Sequence, residues 1–182
     1  MDLCLKQCNS RCWKKSNGEV LMNKKEMALQ YDKDENYLKA IEAYEEYFSD
    51  GDPTIEDYIN LRALYFYITD FGVEAQLEKL SEKIVYAEKR FFELLNTAHI
   101  KFVQKTEFDF WEGYYKWRYW HEEFDQCSDL SKHGDSLIPY FFLLIRETNL
   151  DKIIDYMPVC KILYEQVKDC STTKKQIIAS QF

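Results

Sequence analysis

Apolar residues recur at intervals of three and four along most of the chain, the spacing that places them on one face of an α-helix. The first two helices are predicted to begin near Lys24 and Asn36. Gly51 and Pro53 end the second helix, because glycine suits a C-terminal cap and proline cannot continue a helix. A third helix begins at Thr54. This part of the chain is therefore expected to fold as short helices joined by tight turns.

The longest periodic segment runs from about residue 73 to residue 104 and contains neither glycine nor proline. Its apolar residues alternate in steps of four and three, as at the a and d positions of a heptad repeat, namely Val73, Leu77, Leu80, Ile84, Ala87, Phe91, Leu94 and Ala98. We predict one long helix that packs at a shallow angle against its neighbours within the fold. A coiled-coil dimer is the alternative.

More than half of residues 108–124 are aromatic, within a helix predicted over about 107–126. The aromatic side chains cover more than one helical face, so this helix either lies in the core or exposes a binding surface. Trp111, Trp117 and Trp120 point in different directions around the helix axis. We expect at least one of them to be exposed and to line a partner site, with Trp120 and Arg118 favoured.

Composition narrows the fold class. The chain has 182 residues, of which 46% are hydrophobic, and this excludes a disordered protein. Only five glycines and three prolines are present, too few for turn-rich sandwiches, barrels or Rossmann folds. We predict an all-α protein, an antiparallel helical bundle or short helical-repeat array with one long central helix. Residues 24–170 form one domain, preceded by a cysteine-containing basic segment, 1–23, and followed by a loose tail, 171–182.

The formal net charge is −8, and it is unevenly distributed. Residues 1–27 hold six Lys or Arg against three Asp or Glu, whereas residues 28–125 hold 11 against 22. The acidic middle makes nucleic acid a poor match and favours a basic protein or peptide. No secretory signal and no apolar run of about 18 residues is recognisable, so we expect no membrane partner and a cytoplasmic location with reduced thiols.

Cys4, Cys8 and Cys12 are equally spaced, which on a helix would align their thiols in one stripe. The spacing matches no strong zinc or iron–sulfur signature, and no histidine lies nearby. The interpretation that we favour is a small apolar helix face, with metal or redox chemistry and lipidation as alternatives. We therefore expect neither a cofactor nor a metal site.

The segment from Met27 to Pro53 carries a small residue, Ala28, an aromatic residue three later, Tyr31, and then Ala40, before its closing proline. It resembles a tetratricopeptide repeat, and a weaker second repeat extends the resemblance over about 24–105. The resemblance implies helical hairpins stacked into a concave peptide-binding surface.

In some proteins of the tetratricopeptide class, Lys and Asn from the first helices hold a peptide's terminal carboxylate. Lys25 and Asn60 fall at matching positions, although Leu29 stands where a second asparagine would be needed. The partner-binding candidates are therefore Lys25, Asn60, Trp111, Trp117, Arg118 and Trp120.

Catalytic motifs are weak throughout the sequence. The three histidines belong to no recognisable triad, and the five glycines form no phosphate-binding loop. One enzyme class fits an acidic helical chain, the small ribonucleases of toxin and defence systems. The Arg–His spacing of that class is five to seven positions. Arg118 and His121 are too close for it, and Arg90 and His99 are too far apart.

We therefore expect a non-enzymatic interaction or adaptor module that binds a peptide or protein through a helical surface. A regulatory or oligomerising subunit, such as a homodimer, is the first alternative, and a helical ribonuclease is the second.

Overall fold

The computed structural model describes residues 22–70, 80–102, 106–122, 137–140 and 147–180. Within these ranges the chain is helical and contains no strand, which confirms the predicted all-α fold. The principal helices are α1 Lys24–Lys33, α2 Tyr37–Asp50, α3 Ile55–Asp70, α4 Leu80–Lys101, α5 Thr106–Trp120, α6 Leu150–Val167 and α7 Thr173–Ala179. None of the helices in these ranges combines the length and hydropathy needed to cross a bilayer.

The first two helices form a closely packed hairpin. Asn23 caps α1 through a capping box with Glu26, in which each backbone N–H donates to the other side chain at 2.9 Å. Glu35 has a φ of 56°, and this left-handed residue reverses the chain between the two helices. Ala28 and Ala40 are completely buried, which confirms that Ala40 lies where helices meet.

Helix α3 is the most deeply buried element. It packs against α2, α4, α5 and α7, and its central side chains are at most 2% exposed, namely Ile59, Leu61, Arg62, Ala63, Leu64, Tyr65 and Phe66. A helix surrounded in this way needs apolar residues on every face, and this explains why its sequence shows little amphipathic contrast. Helices α2, α4, α5 and α7 are arranged around it.

The long helix α4 packs against α3 through its heptad positions. Ala87, Phe91, Leu94 and Ala98 are at most 3% exposed, so these heptad residues are buried within the chain's own fold. Arg90 also ties α4 to α2, because its Nε and Nη2 atoms donate to the two carboxylate oxygens of Glu45 at 2.7 and 2.8 Å. The internal packing that we predicted for this helix is confirmed for these positions. Residues 73–79 lie outside the described ranges.

The end of the sequence differs from our expectation. We predicted a loose tail over 171–182, but Thr173–Ala179 forms α7, whose Ile177 and Ile178 are each 1% exposed. Thr172 caps this helix by accepting the Lys175 N–H at 3.4 Å. Pro158 lies within α6 and does not end it. Thr173 and Lys174, before the two isoleucines, find partners far away in the chain.

Candidate functional site

The first turn of α7 is held by a buried carboxylate on α1. The backbone N–H of Thr173 donates to Oδ1 of Asp32 at 3.0 Å, and its hydroxyl donates to the same oxygen at 2.5 Å. Thr173 is completely buried and Asp32 is 1% exposed. Burial raises the pKa of Asp32, and the two hydrogen bonds from Thr173 offset part of that shift. Asp32 is thus a specific acceptor for the start of a helix.

The second residue of α7 is a lysine held between two carboxylates. Lys174 Nζ forms ion pairs with Glu56, at the start of α3, and with Glu107, at the start of α5, the latter at 3.4 Å. Burial would lower the pKa of Lys174, but Glu107 and Glu56 more than offset this effect, so its pKa is raised. The lysine therefore enters its site as a cation.

Two isoleucines complete the contact one turn later. Ile177 and Ile178 belong to the main core, and the Tyr37 hydroxyl donates to Oε1 of Gln176 at 3.5 Å. Lys174, Ile177 and Ile178 occupy positions i, i+3 and i+4, so they share one face of α7. We call the surface of α1, α3 and α5 that receives this face, with Asp32, Glu56 and Glu107 as its acidic groups, the α7 groove.

The groove continues beside α7 as an open cleft. The cleft has a volume of about 410 Å³ and lies between α5, α6 and α7. Its lining includes Glu107, Lys174, Lys175, Leu163 and Ile178, so it combines charged groups of both signs with apolar walls.

The two predicted clamp residues lie next to the groove, but their surroundings are acidic. Lys25 Nζ lies 2.7 Å from Oδ1 of Asp57, a completely buried carboxylate at the start of α3. Asn60 follows one turn later on α3 and is 6% exposed. Burial and the nearby Asp32 and Asp57 raise the pKa of Tyr44. Since Asp57 already pairs with the Lys25 ammonium, a terminal carboxylate would have to compete with Asp57 for that charge.

The aromatic helix α5 faces mainly inward. Trp111 is completely buried, its indole N–H donates to Glu107 at 3.3 Å, and its ring stacks on Tyr115. Trp111, which we predicted to bind a partner, therefore has no exposed surface in this structure, and the structure does not test its binding role. Trp117 is partly buried and Arg118 is exposed, and their role in lining a partner site stays a prediction. The side chain of Trp120 lies outside the described set.

A residue that the sequence analysis missed is Arg62, in the middle of α3. It is 1% exposed, and its guanidinium carbon lies 4.3 Å from the ring centroid of Phe91 and 5.0 Å from those of Phe108 and Tyr115. Cation–π attraction stabilises a charge in such an aromatic environment. The apolar residues on either side of Arg62 were the available signal, since a lone charge among them is unusual.

The arginine, histidine and cysteine residues considered in the sequence analysis form no common site within the described ranges. Arg90 and His99, the Arg–His pair with the wider spacing, contact different carboxylates. Arg90 pairs with Glu45, and His99 pairs with Glu112. Cys4, Cys8 and Cys12 lie outside the described ranges. Cys160 and Cys170 are free thiols, one buried and one exposed.

Comparison with known protein families finds no match, and comparisons with curated proteins and with solved structures find none either.

Proposed function

We propose that the chain is a non-enzymatic interaction module, an adaptor whose α7 groove binds a short amphipathic helix. The observation that carries this proposal is α7 itself, a seven-residue helix that docks through Thr173, Lys174 and the two isoleucines. A helix this short has little stability alone, so the groove supplies most of the energy that keeps it folded. Helix-in-groove recognition uses the same i, i+3, i+4 anchors.

The partner's chemistry follows from the groove. Glu56 and Glu107 suit a lysine or arginine, the core beneath α7 suits two β-branched residues one turn later, and Asp32 suits a serine or threonine at the helix start. A basic amphipathic peptide satisfies all three requirements. The acidic charge of residues 28–125 adds long-range attraction for such a peptide.

The packed helix pairs support a helical-repeat architecture of the tetratricopeptide type. Helices α1 and α2 form one pair and α3 and α4 the next, and the first helix of each pair contributes to the α7 groove. In that architecture the first helices line the peptide-binding side. The free thiols of Cys160 and Cys170 support a cytoplasmic location for the adaptor.

The test uses a labelled peptide of residues 171–182 and a full-length chain carrying Ile177→Asp and Ile178→Asp. The aspartates prevent the chain's own α7 from docking, because two buried charges would each be strongly unfavourable. Fluorescence anisotropy should show the peptide binding to this variant. The affinity of the wild-type chain for the peptide should be lower by a factor of about ten or more, since its own α7 competes at high effective concentration.

A matched peptide with Lys174→Glu serves as the control and should not bind, because it places a third acid between Glu56 and Glu107. Circular dichroism establishes that the variant chain is folded. If a folded variant binds neither peptide, or binds both equally, the groove is not a helix-recognition site and the proposal is wrong.

A further inference from the structure

The structure brings a histidine and two carboxylates together at the junction of α4 and α5. His99 lies in the last turn of α4, and Asp109 and Glu112 lie near the start of α5. The two acids are three residues apart, so they share a helix face. This cluster lies outside the α7 groove, and no step of the proposed function uses it.

The geometry of the three side chains is close to that of a metal centre. Nε2 of His99 lies 2.9 Å from Oε2 of Glu112, and one ligand atom from each of the three residues lies within 4.8 Å of the others. In a tetrahedral zinc site with bonds of about 2.0 Å, neighbouring ligand atoms are about 3.3 Å apart. A shift of a few tenths of an ångström would place Nε2 and Oε2 at that separation, and the Asp109 carboxylate would have to move by up to about 1.5 Å to join them.

The surroundings of Glu112 hold its carboxylate in a suitable orientation. Lys116 Nζ lies 2.7 Å from Oε1, which leaves Oε2 directed at His99. Hydrogen bonds of this kind, from outside the ligand set, fix the ligating carboxylates of metal sites. The edge of Phe108 packs against the imidazole of His99, with centroids 5.8 Å apart, and restricts the ring's rotation.

Access and charge also suit a divalent cation. The side chains of His99 and Glu112 are 32% and 17% exposed, so the cluster is half-buried and still open to solvent. Asp109 and Glu112 supply two carboxylates, of which Glu112 also pairs with Lys116. One imidazole nitrogen with two carboxylate oxygens is a donor set suited to zinc or cobalt.

We propose that His99, Asp109 and Glu112 bind one zinc-class divalent ion, with the fourth coordination position open to water. Such an ion would join the end of α4 to the start of α5. Lys116 is a positioning residue that orients Glu112.

The probes are Zn²⁺, measured by isothermal titration calorimetry, and Co²⁺, measured by its visible absorption. Both are added to the full chain carrying Cys4→Ser, Cys8→Ser and Cys12→Ser, so that the thiols near the start of the sequence do not compete. One equivalent should bind, and the Co²⁺ spectrum should lack the near-ultraviolet band of thiolate ligation. His99→Ala and Asp109→Asn should each abolish this binding, and Lys116→Met should weaken it by about tenfold.

The matched control is His121→Asn, which removes an exposed histidine outside the cluster. Asparagine is chosen because His121 has a φ of 54°, a conformation that asparagine tolerates. This variant should bind the ion as the parent chain does. The proposal is overturned if the chain with the three serine substitutions binds no ion, or if it binds one that folded His99→Ala and Asp109→Asn variants retain.

Discussion

The hydrogen bond between Thr173 and Asp32 offers a direct test of what holds α7 in its groove. The change Thr173→Val removes the hydroxyl that donates to Oδ1 of Asp32 at 2.5 Å. Valine has nearly the same shape, so the completely buried site of Thr173 keeps its packing. The backbone N–H of residue 173 still donates to the same oxygen at 3.0 Å. The substitution therefore isolates one hydrogen bond.

The expected cost follows from the charge and burial of the acceptor. A hydrogen bond to an ionised group contributes about 1.5–3 kcal/mol. Asp32 retains one donor in the variant, and its Oδ2 atom has no hydrogen-bond partner even in the wild type. We therefore expect a loss of about 2 kcal/mol in the free energy of unfolding. For a chain of this size, that loss corresponds to a fall in Tm of about 4–8 °C.

Two measurements distinguish the mechanism. Urea denaturation followed by circular dichroism gives the change in the free energy of unfolding. Hydrogen exchange with mass spectrometry should show faster exchange in Thr173–Ala179, because the loss is concentrated where α7 docks. The control is Thr97→Val, since Thr97 is exposed and its hydroxyl only returns to the Glu93 carbonyl, at 2.8 Å. That variant should lose less than about 0.5 kcal/mol.

Either of two results would refute this reasoning. If Thr173→Val is no more destabilising than Thr97→Val, the buried hydrogen bond does not hold α7. If stability falls but exchange in α7 is unchanged, the loss has arisen elsewhere in the fold.

Three further predictions concern other positions. Because burial raises the pKa of Asp32, the wild-type chain loses stability as pH rises through that pKa. The free energy of unfolding of Asp32→Asn, relative to that of the wild type, should therefore increase between pH 4 and pH 7, by about 1.4 kcal/mol for every unit by which the folded-state pKa exceeds the unfolded one. Urea titrations that show a constant difference would contradict this. Ala40→Leu should cost about 1–3 kcal/mol by overpacking a completely buried helix contact, and an unchanged Tm would count against that packing. Burial raises the pKa of the Cys160 thiol to about 11, so peptide mapping after brief alkylation of the native chain should find Cys170 labelled and Cys160 protected; equal labelling would mean that Cys160 is accessible.

Local patterns in the sequence were sufficient to predict the first hairpin. Gly51 and Pro53 mark its end, and the small residues Ala28 and Ala40 mark where its helices touch. These signals act within a few residues of one another, so no knowledge of the rest of the fold is needed to interpret them. The heptad spacing of α4 also predicted its packing, because a repeated apolar stripe on a helix is buried against another helix.

Contacts between distant parts of the chain were not predictable in the same way. Thr173 meets Asp32 across 141 positions, and Lys174 meets Glu56 across 118. No local pattern indicates such partners, so the sequence analysis predicted a loose tail over residues 171–182. The same limitation explains Trp111: helical spacing shows that the tryptophans point apart, but only the neighbouring helices decide which one is buried.

The separation of Asp32 and Thr173 in the sequence also has a consequence during translation. At about 5–20 residues per second, a ribosome needs about 7–28 s to add the 141 residues between them. During that interval α1 and α3 can fold, but the segment that covers their shared surface has not yet been made. Under the function proposed above, a basic amphipathic helix, including one on a neighbouring nascent chain, would then meet this surface without competition from α7.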